Sequence, residues 1–257
     1  MRRLPSLVAL TLGAALAAPA VAAAQADRPV VAVLYFDNNS FGRDRADYDN
    51  LGKGIADLLI NDMAQNPAMR VVERDRIQSI LQEHNLIKAG SVDPQTAVQL
   101  GKILGAQYMI TGGFMSDGRG NLVLTSRVID VQTSRIMDPV KLQSKGDDVL
   151  GLIAQLSTKL NSDLKLPALE RRTGEARATQ PAVGARESTR QAGKQVAEST
   201  PTPKLDIRTA LLYSKALEAQ DSGDRTKAAE LYRAVLAKFP DFGPARSNLQ
   251  KVEKSAD

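Results

Sequence analysis

The chain has 257 residues, a formal charge of +5, one histidine and no cysteine. Disulfides and thiolate metal centres are therefore excluded, and no lipid anchor on a cysteine is expected. A pI of about 9.4 invites a nucleic-acid reading. The basic residues, however, gather on no single periodic face and have no aromatic residues among them, so nucleic acid is not an expected partner.

Residues 1–24 read as a secretory signal peptide. Arg2 and Arg3 supply the positive start, Leu7 to Ala18 the apolar stretch, and Val21-Ala22-Ala23-Ala24 the small residues of a cleavage site. The apolar stretch is too short to span a bilayer. Export across the inner membrane to the periplasm, or to a place peripheral to the outer membrane, is the localisation this implies. Loss of Arg2 and Arg3 would lower the charge from +5 to +3.

Residues 28–165 read as one α/β domain, a mixed β-sheet with packed helices. The apolar run Val30 to Phe36 predicts a strand buried on both faces. Asp37 to Ser40 supplies turn residues, and Phe41 to Asn50 predicts an exposed loop. Leu51, Ile55, Leu58, Leu59 and Met63 recur at helical spacing as one stripe, and Asn66-Pro67 ends that helix. Met69 to Val72 predicts a short strand. Glu73 to Arg76 opens a helix with Ile77, Ile80 and Leu81 on its apolar face, stopped at Asn85. Asp93-Pro94 starts the next helix and Gly105 ends it. Ala97, Leu100 and Leu104 point inward from it. Tyr108 to Phe114, Leu122 to Asp130 and Ser134 to Val140 predict three strands. Asp117 to Asn121 forms a tight turn between the first two, and Asp147 to Leu164 a closing helix.

Residues 166–204 nearly lack large apolar side chains and read as a flexible linker. Residues 205–255 read as a tetratricopeptide-like helical hairpin with a third helix from Pro244. Its pattern residues are Leu212, Tyr213, Ala216, Gly223, Asp224, Ala228, Tyr232 and Pro240, supported by Val235 and Leu236. Ala216 and Ala228 let the helices approach, Gly223-Asp224 makes the turn, and Pro240 stops the second helix. The linker predicts that the two modules engage partners separately.

No catalytic constellation emerges, and no catalytic, cofactor or metal residues are assigned. His84 is expected near the apolar face of its helix, without a second histidine or a nucleophile elbow. Gly52-Lys53-Gly54 lacks phosphate-loop spacing and reads as a helix start. Gly112-Gly113 reads as a bulge or close packing point. Asp37, Asp57, Asp62, Glu73, Asp75 and Glu83 lie on separate elements and read as solvated faces and caps.

Several of these blocks together resemble the CsgG family of bacterial envelope proteins, the curli production assembly/transport components. They are the first strand ending in Phe36-Asp37-Asn38, Gly54-Ile55-Ala56-Asp57, Val71-Val72-Glu73-Arg74, Asp93-Pro94 with Ala97, and Leu104-Gly105-Ala106 followed by Tyr108 and Thr111-Gly112. The resemblance implies an α/β fold akin to anticodon-binding and TolB amino-terminal domains. It also implies a non-enzymatic accessory, assembly or scaffold role among cell-envelope proteins, with self-association as an option. The repeat would add protein–protein interaction. The alternative is an oligomeric outer-membrane secretion-channel subunit. Against the alternative, a membrane hairpin needs roughly 9–11 alternating residues per strand, and the Asp117 to Asn121 turn shows no such apolar band.

Overall fold

The computed structural model describes residues 28–84, 92–117, 121–166 and 204–254. The expected signal peptide, the interior of the linker, the helix stop at Asn85 and the tip of the Asp117 to Asn121 turn lie outside them. A six-stranded mixed sheet forms the centre, in the order β3-β1-β4-β5-β6, with β2 paired to β4 off that path. The strands are β1 (Val30–Val33), β2 (Asp37–Asn38), β3 (Arg70–Val71), β4 (Tyr108–Ser116), β5 (Asn121–Asp130) and β6 (Val140–Lys145). The β1–β3, β1–β4 and β2–β4 pairs are parallel, and β4–β5 and β5–β6 are antiparallel.

The central place of β1 explains its unbroken apolar sequence, since both faces are covered. Its regular pairing stops earlier than the run suggests. The Leu34 amide still bonds Ile110 O at 2.8 Å, but the Phe36 amide turns to Gly52 O at 3.3 Å. Asp37 and Asn38, expected as turn residues, then resume pairing on β4. The expected loop after them holds a 3₁₀ turn over Arg43–Tyr48. Asn38 secures it, its Nδ2 donating to Arg45 O and to Asp49 Oδ1, each at 2.8 Å.

Helix α1 (Leu51–Met63) packs on β1 and on the closing helix α4 (Val149–Asp163). Helix α2 spans Arg74–Glu83 and α3 spans Pro94–Leu104. Asp93 caps α3 by accepting from the amides of Gln95 and Thr96 at 2.9 and 3.1 Å, and Gly105 closes it with φ 67°. Helix α3 lies on the Met109 side of the sheet, where Gly101 abuts Met109 and Val131. Phe36, packed against Gly112, marks the α1 side.

The last strand departs from expectation. Of Ser134 to Val140 only Val140 joins a strand, as the first residue of β6, and before it only Ile136 bridges back to Ile129. Ser134 adopts φ 57°, and Pro139 has no amide to donate. The register moves by one residue between the Ile129–Ile136 bridge and the Ser126–Val140 pair, the mark of a bulge around the proline.

Helices α5 (Ile207–Asp221), α6 (Arg225–Lys238) and α7 (Gly243–Lys254) form an antiparallel hairpin with a third helix behind it. They are packed on the α/β domain. Val149 N donates to Leu205 O at 2.9 Å and Ile207 N to Gly146 O at 2.7 Å, stitching the start of α5 to the start of α4. Helix α5 then lies along α1. This accounts for a feature the stripe reading of α1 missed: residues 51–60 are all buried, on the side away from the sheet as well as toward it.

Candidate functional site

The junction between α1, α2 and the C-terminal helices is held by charge. Lys53, on the first turn of α1, donates to Glu218 Oε2 at 2.6 Å and Asp221 Oδ2 at 2.7 Å. Its ammonium also sits 5.3 Å from the centre of the Tyr35 ring. Arg74, the first residue of α2, donates through Nη1 to both Asp221 oxygens at 2.7 and 2.8 Å. Its Nε lies 3.3 Å from Asp57 Oδ1, and its Nη2 bonds Asp75 Oδ1 at 2.8 Å. The Arg74, Asp57 and Asp221 side chains are only 4%, 7% and 6% exposed, so these ions are removed from water.

Tyr213 links the same cluster to the hairpin core. Its hydroxyl donates to Asp57 Oδ2 at 2.5 Å and accepts from Asn248 Nδ2 at 3.0 Å. Its ring meets Tyr232 at 5.9 Å and Phe242 edge-on at 5.0 Å. Burial pushes the Asp57 carboxyl above its ordinary range, against the pull of the Tyr213 hydroxyl and Arg74. Burial also pushes the Tyr213 hydroxyl well up, and the neighbouring Asp57 charge adds to this. For Arg74, burial works against the charge, but Asp221, joined by Tyr35 and Asp57, outweighs it and keeps the guanidinium protonated. Every ion in the cluster has a counter-ion or hydrogen-bond partner, the condition under which buried charge is tolerated.

Close approach makes the geometry possible. A Cβ on Gly54 would lie 2.0 Å from Ser214 Oγ, and one on Gly52 would lie 1.8 Å from Phe36 O. Gly52-Lys53-Gly54 is therefore the helix start it was read as. It is also the seam where α1 meets both the β1–β2 connection and α5.

Docking creates a cleft of about 600 Å³ between α1, α4 and the α6–α7 connection. Leu58, Leu150, Ala154, Phe239 and Phe242 supply apolar lining, and Asp148 and Asp241 stand among the polar groups. Neither half of the molecule forms this cleft alone.

The eight pattern residues fall as follows. Tyr213, Ala216, Ala228 and Tyr232 are fully buried between the helices. Leu212 is partly buried. Gly223 makes the α5–α6 turn with φ 81°, Asp224 caps α6 by accepting from Lys227 N at 3.0 Å, and Pro240 follows its last turn. Helix α5, the first of the hairpin, has α1 of the α/β domain as its neighbour, so the expected separate action of two modules meets a shared buried interface instead. His84 is an exposed cap of α2 and not part of its apolar face. Asp57 and Asp75 belong to the junction, whereas Asp37, Asp62, Glu73 and Glu83 do not enter it. Lys53, Arg74, Glu218, Asp221 and Asn248 were missed as a group. The available signal was a lysine and an aspartate at positions 53 and 57, in the otherwise apolar run 51–60 of the helix. Among the described residues no three His, Cys, Asp or Glu side chains are arranged to hold a metal ion, and no helix is long and apolar enough to cross a membrane.

Residues 15–119 match the family model of the curli production assembly/transport component CsgG. Among solved structures, the LpoB C-terminal domain from Escherichia coli is 18% identical, with 46% of this chain and 82% of that one covered and a TM-score of 0.35. TolB from Acinetobacter baumannii is 14% identical, with 53% and 28% covered and a TM-score of 0.38. A PelC dodecamer from Paraburkholderia phytofirmans is 15% identical, with 60% and 95% covered and a TM-score of 0.34. No curated protein matches the sequence. The stretch that carries the CsgG-family match is residues 15–119, taking in β1 to β4 and leaving the C-terminal helices outside it.

Proposed function

We propose that this is a non-enzymatic accessory or scaffold protein of the bacterial cell envelope, one that docks on envelope proteins. The CsgG-family match over residues 15–119 carries the reading. Two further features support it. The buried charges at the junction are consumed in holding the molecule together, and the composite cleft offers an apolar, partly acidic surface of the kind used for protein recognition. The leader expected in residues 1–24 supports periplasmic placement. The C-terminal helices act as a tetratricopeptide-like interaction module in this proposal. They do so from a fixed position on α1, with the cleft beside Phe239 and Phe242 as the recruiting surface.

The test is crosslinking in intact cells followed by fractionation and mass spectrometry, comparing wild type with Ala154→Arg, which fills the cleft. The reading expects a periplasmic protein, released without detergent, whose crosslinks to envelope proteins fall in the variant. A large outer-membrane oligomer that needs detergent would replace this reading with the secretion-channel subunit, which the transport wording of the matched family favours.

A further inference from the structure

The side of the sheet that carries α3 is only partly covered. Along β5, Asn121, Thr125 and Arg127 are exposed and Val123 is half-buried, while Leu122, Leu124, Ser126 and Val128 between them are buried. Along β6, Lys141, Gln143 and Lys145 are exposed. The register places Lys141 beside Thr125 and Lys145 beside Asn121. Arg127 lies two residues along β5 from Thr125, so Arg127, Lys141 and Lys145 form a row of about 20 Å at roughly 3.3 Å per residue. None of the three side chains has a hydrogen bond or ion pair with another described residue. No aspartate or glutamate shares this face of β5 and β6. Met115 and Ile136, 38% and 44% exposed, add apolar surface on the same side.

Strand β6 also ends the sheet, and no other described strand pairs with its outer side. Lysines on such an edge keep like strands apart. A second copy of β6 added antiparallel about Gln143 would set Lys141 against Lys145, which like charges disfavour. A plane of anionic lipid is disfavoured too, because α3 stands about 10 Å proud of the sheet beside this row and would strike it first. An extended chain fits the shelf between α3 and the edge. We propose that β6 is a docking edge for an acidic extended peptide segment of a partner. The added strand would use the open backbone of Val140–Ser144, with carboxylates on alternate residues facing Lys141, Lys145 and Arg127. This rests on the docking function proposed above and names the surface and partner chemistry.

The test uses the full chain and a synthetic 12-residue peptide with Glu at alternate positions among Val and Thr. Two controls accompany it: the same composition interrupted by two prolines, and a version with Lys for Glu. Anisotropy measures binding, and amide exchange reads the β6 backbone. The proposal expects binding by the acidic peptide, protection of amides in 140–145, and no binding by the proline control. Arg127→Glu, Lys141→Glu and Lys145→Glu together should weaken binding roughly tenfold or more and transfer preference to the Lys peptide. All three sites are exposed, so the variant should fold, which its unfolding midpoint checks. Equal binding of the acidic peptide to wild type and triple variant would overturn the proposal, as would equal binding of the proline control. Crosslinking in cells separates this from the broader reading. Envelope partners captured equally by wild type and triple variant sink only the β6 edge, whereas no envelope partner for wild type sinks the docking function itself.

Discussion

The sheet core and the junction with the C-terminal helices are both buried, but they are built from different materials. The core is a continuous apolar cluster, with Val31, Leu59, Leu100, Phe114 and Leu156 at most 2% exposed. The junction places Lys53, Asp57, Arg74 and Asp221 at comparable depth. An apolar core tolerates small changes in shape at modest cost, since its attraction is non-directional. A buried ionic junction does not, because removing one partner strands another charge away from water. The difference predicts where the molecule is brittle.

Arg74→Ala would break the comparison most sharply. It leaves Asp57 buried without a cation and Asp221 with Lys53 alone, and the expected loss is about 3–5 kcal/mol in urea unfolding. Leu59→Ala in the core should cost about 2–5 kcal/mol, with the cavity left behind setting the value. Tyr213→Phe keeps the ring packing and removes the hydroxyl shared by Asp57 and Asn248, and should cost about 1–3 kcal/mol. If Tyr213→Phe is neutral while Leu59→Ala is severe, the junction is held by shape and not by its polar bonds.

A smaller effect comes from Asp206, which caps α5 by accepting from the amides of Arg208 and Thr209 at 2.8 and 3.0 Å. Partial burial opposes the charge, but the bonds from Thr209 and Arg208 outweigh it and hold the carboxyl below its ordinary range. A carboxylate with a lowered folded pKa contributes stability above its unfolded pKa of about 3.9 and loses it as pH falls through the folded value. Asp206→Ala should therefore cost about 1 kcal/mol at pH 7, and its melting curve should approach wild type as pH falls below the unfolded value and through the lowered folded one. A gap that stays constant over that range would contradict the cap assignment. The exposed Arg233–Glu253 pair, 2.7 Å apart, should be worth less than about 1 kcal/mol, and its loss serves as the surface reference.

The contrast also explains what the sequence revealed. Strand β1, the Asp93 cap, the Gly105 stop and the inward face of α3 were legible because each follows from local pattern. Strand β6 was placed too early because Ser134 and Pro139 act through backbone geometry that alternation does not report. The junction was illegible for another reason: Lys53 finds Glu218 and Asp221, and Asp57 finds Tyr213, across more than 150 positions of sequence. A lysine at position 53 reads locally as a solvated helix start. Only the docking of α5 turns it into a buried ion, and the linker pattern between the modules argued for separation.

The claim that matters most is that the C-terminal helices are bound to α1 and α2 through buried charge. A double-mutant cycle on Arg74→Ala and Asp221→Ala, read by urea unfolding of the full chain, tests it directly. The account predicts that the double variant is more stable than the sum of the single losses implies, with a coupling of about 2 kcal/mol or more. Losses that add to within about 0.5 kcal/mol would show that the two residues do not meet, and the fixed position of the helices on α1 would have to be abandoned.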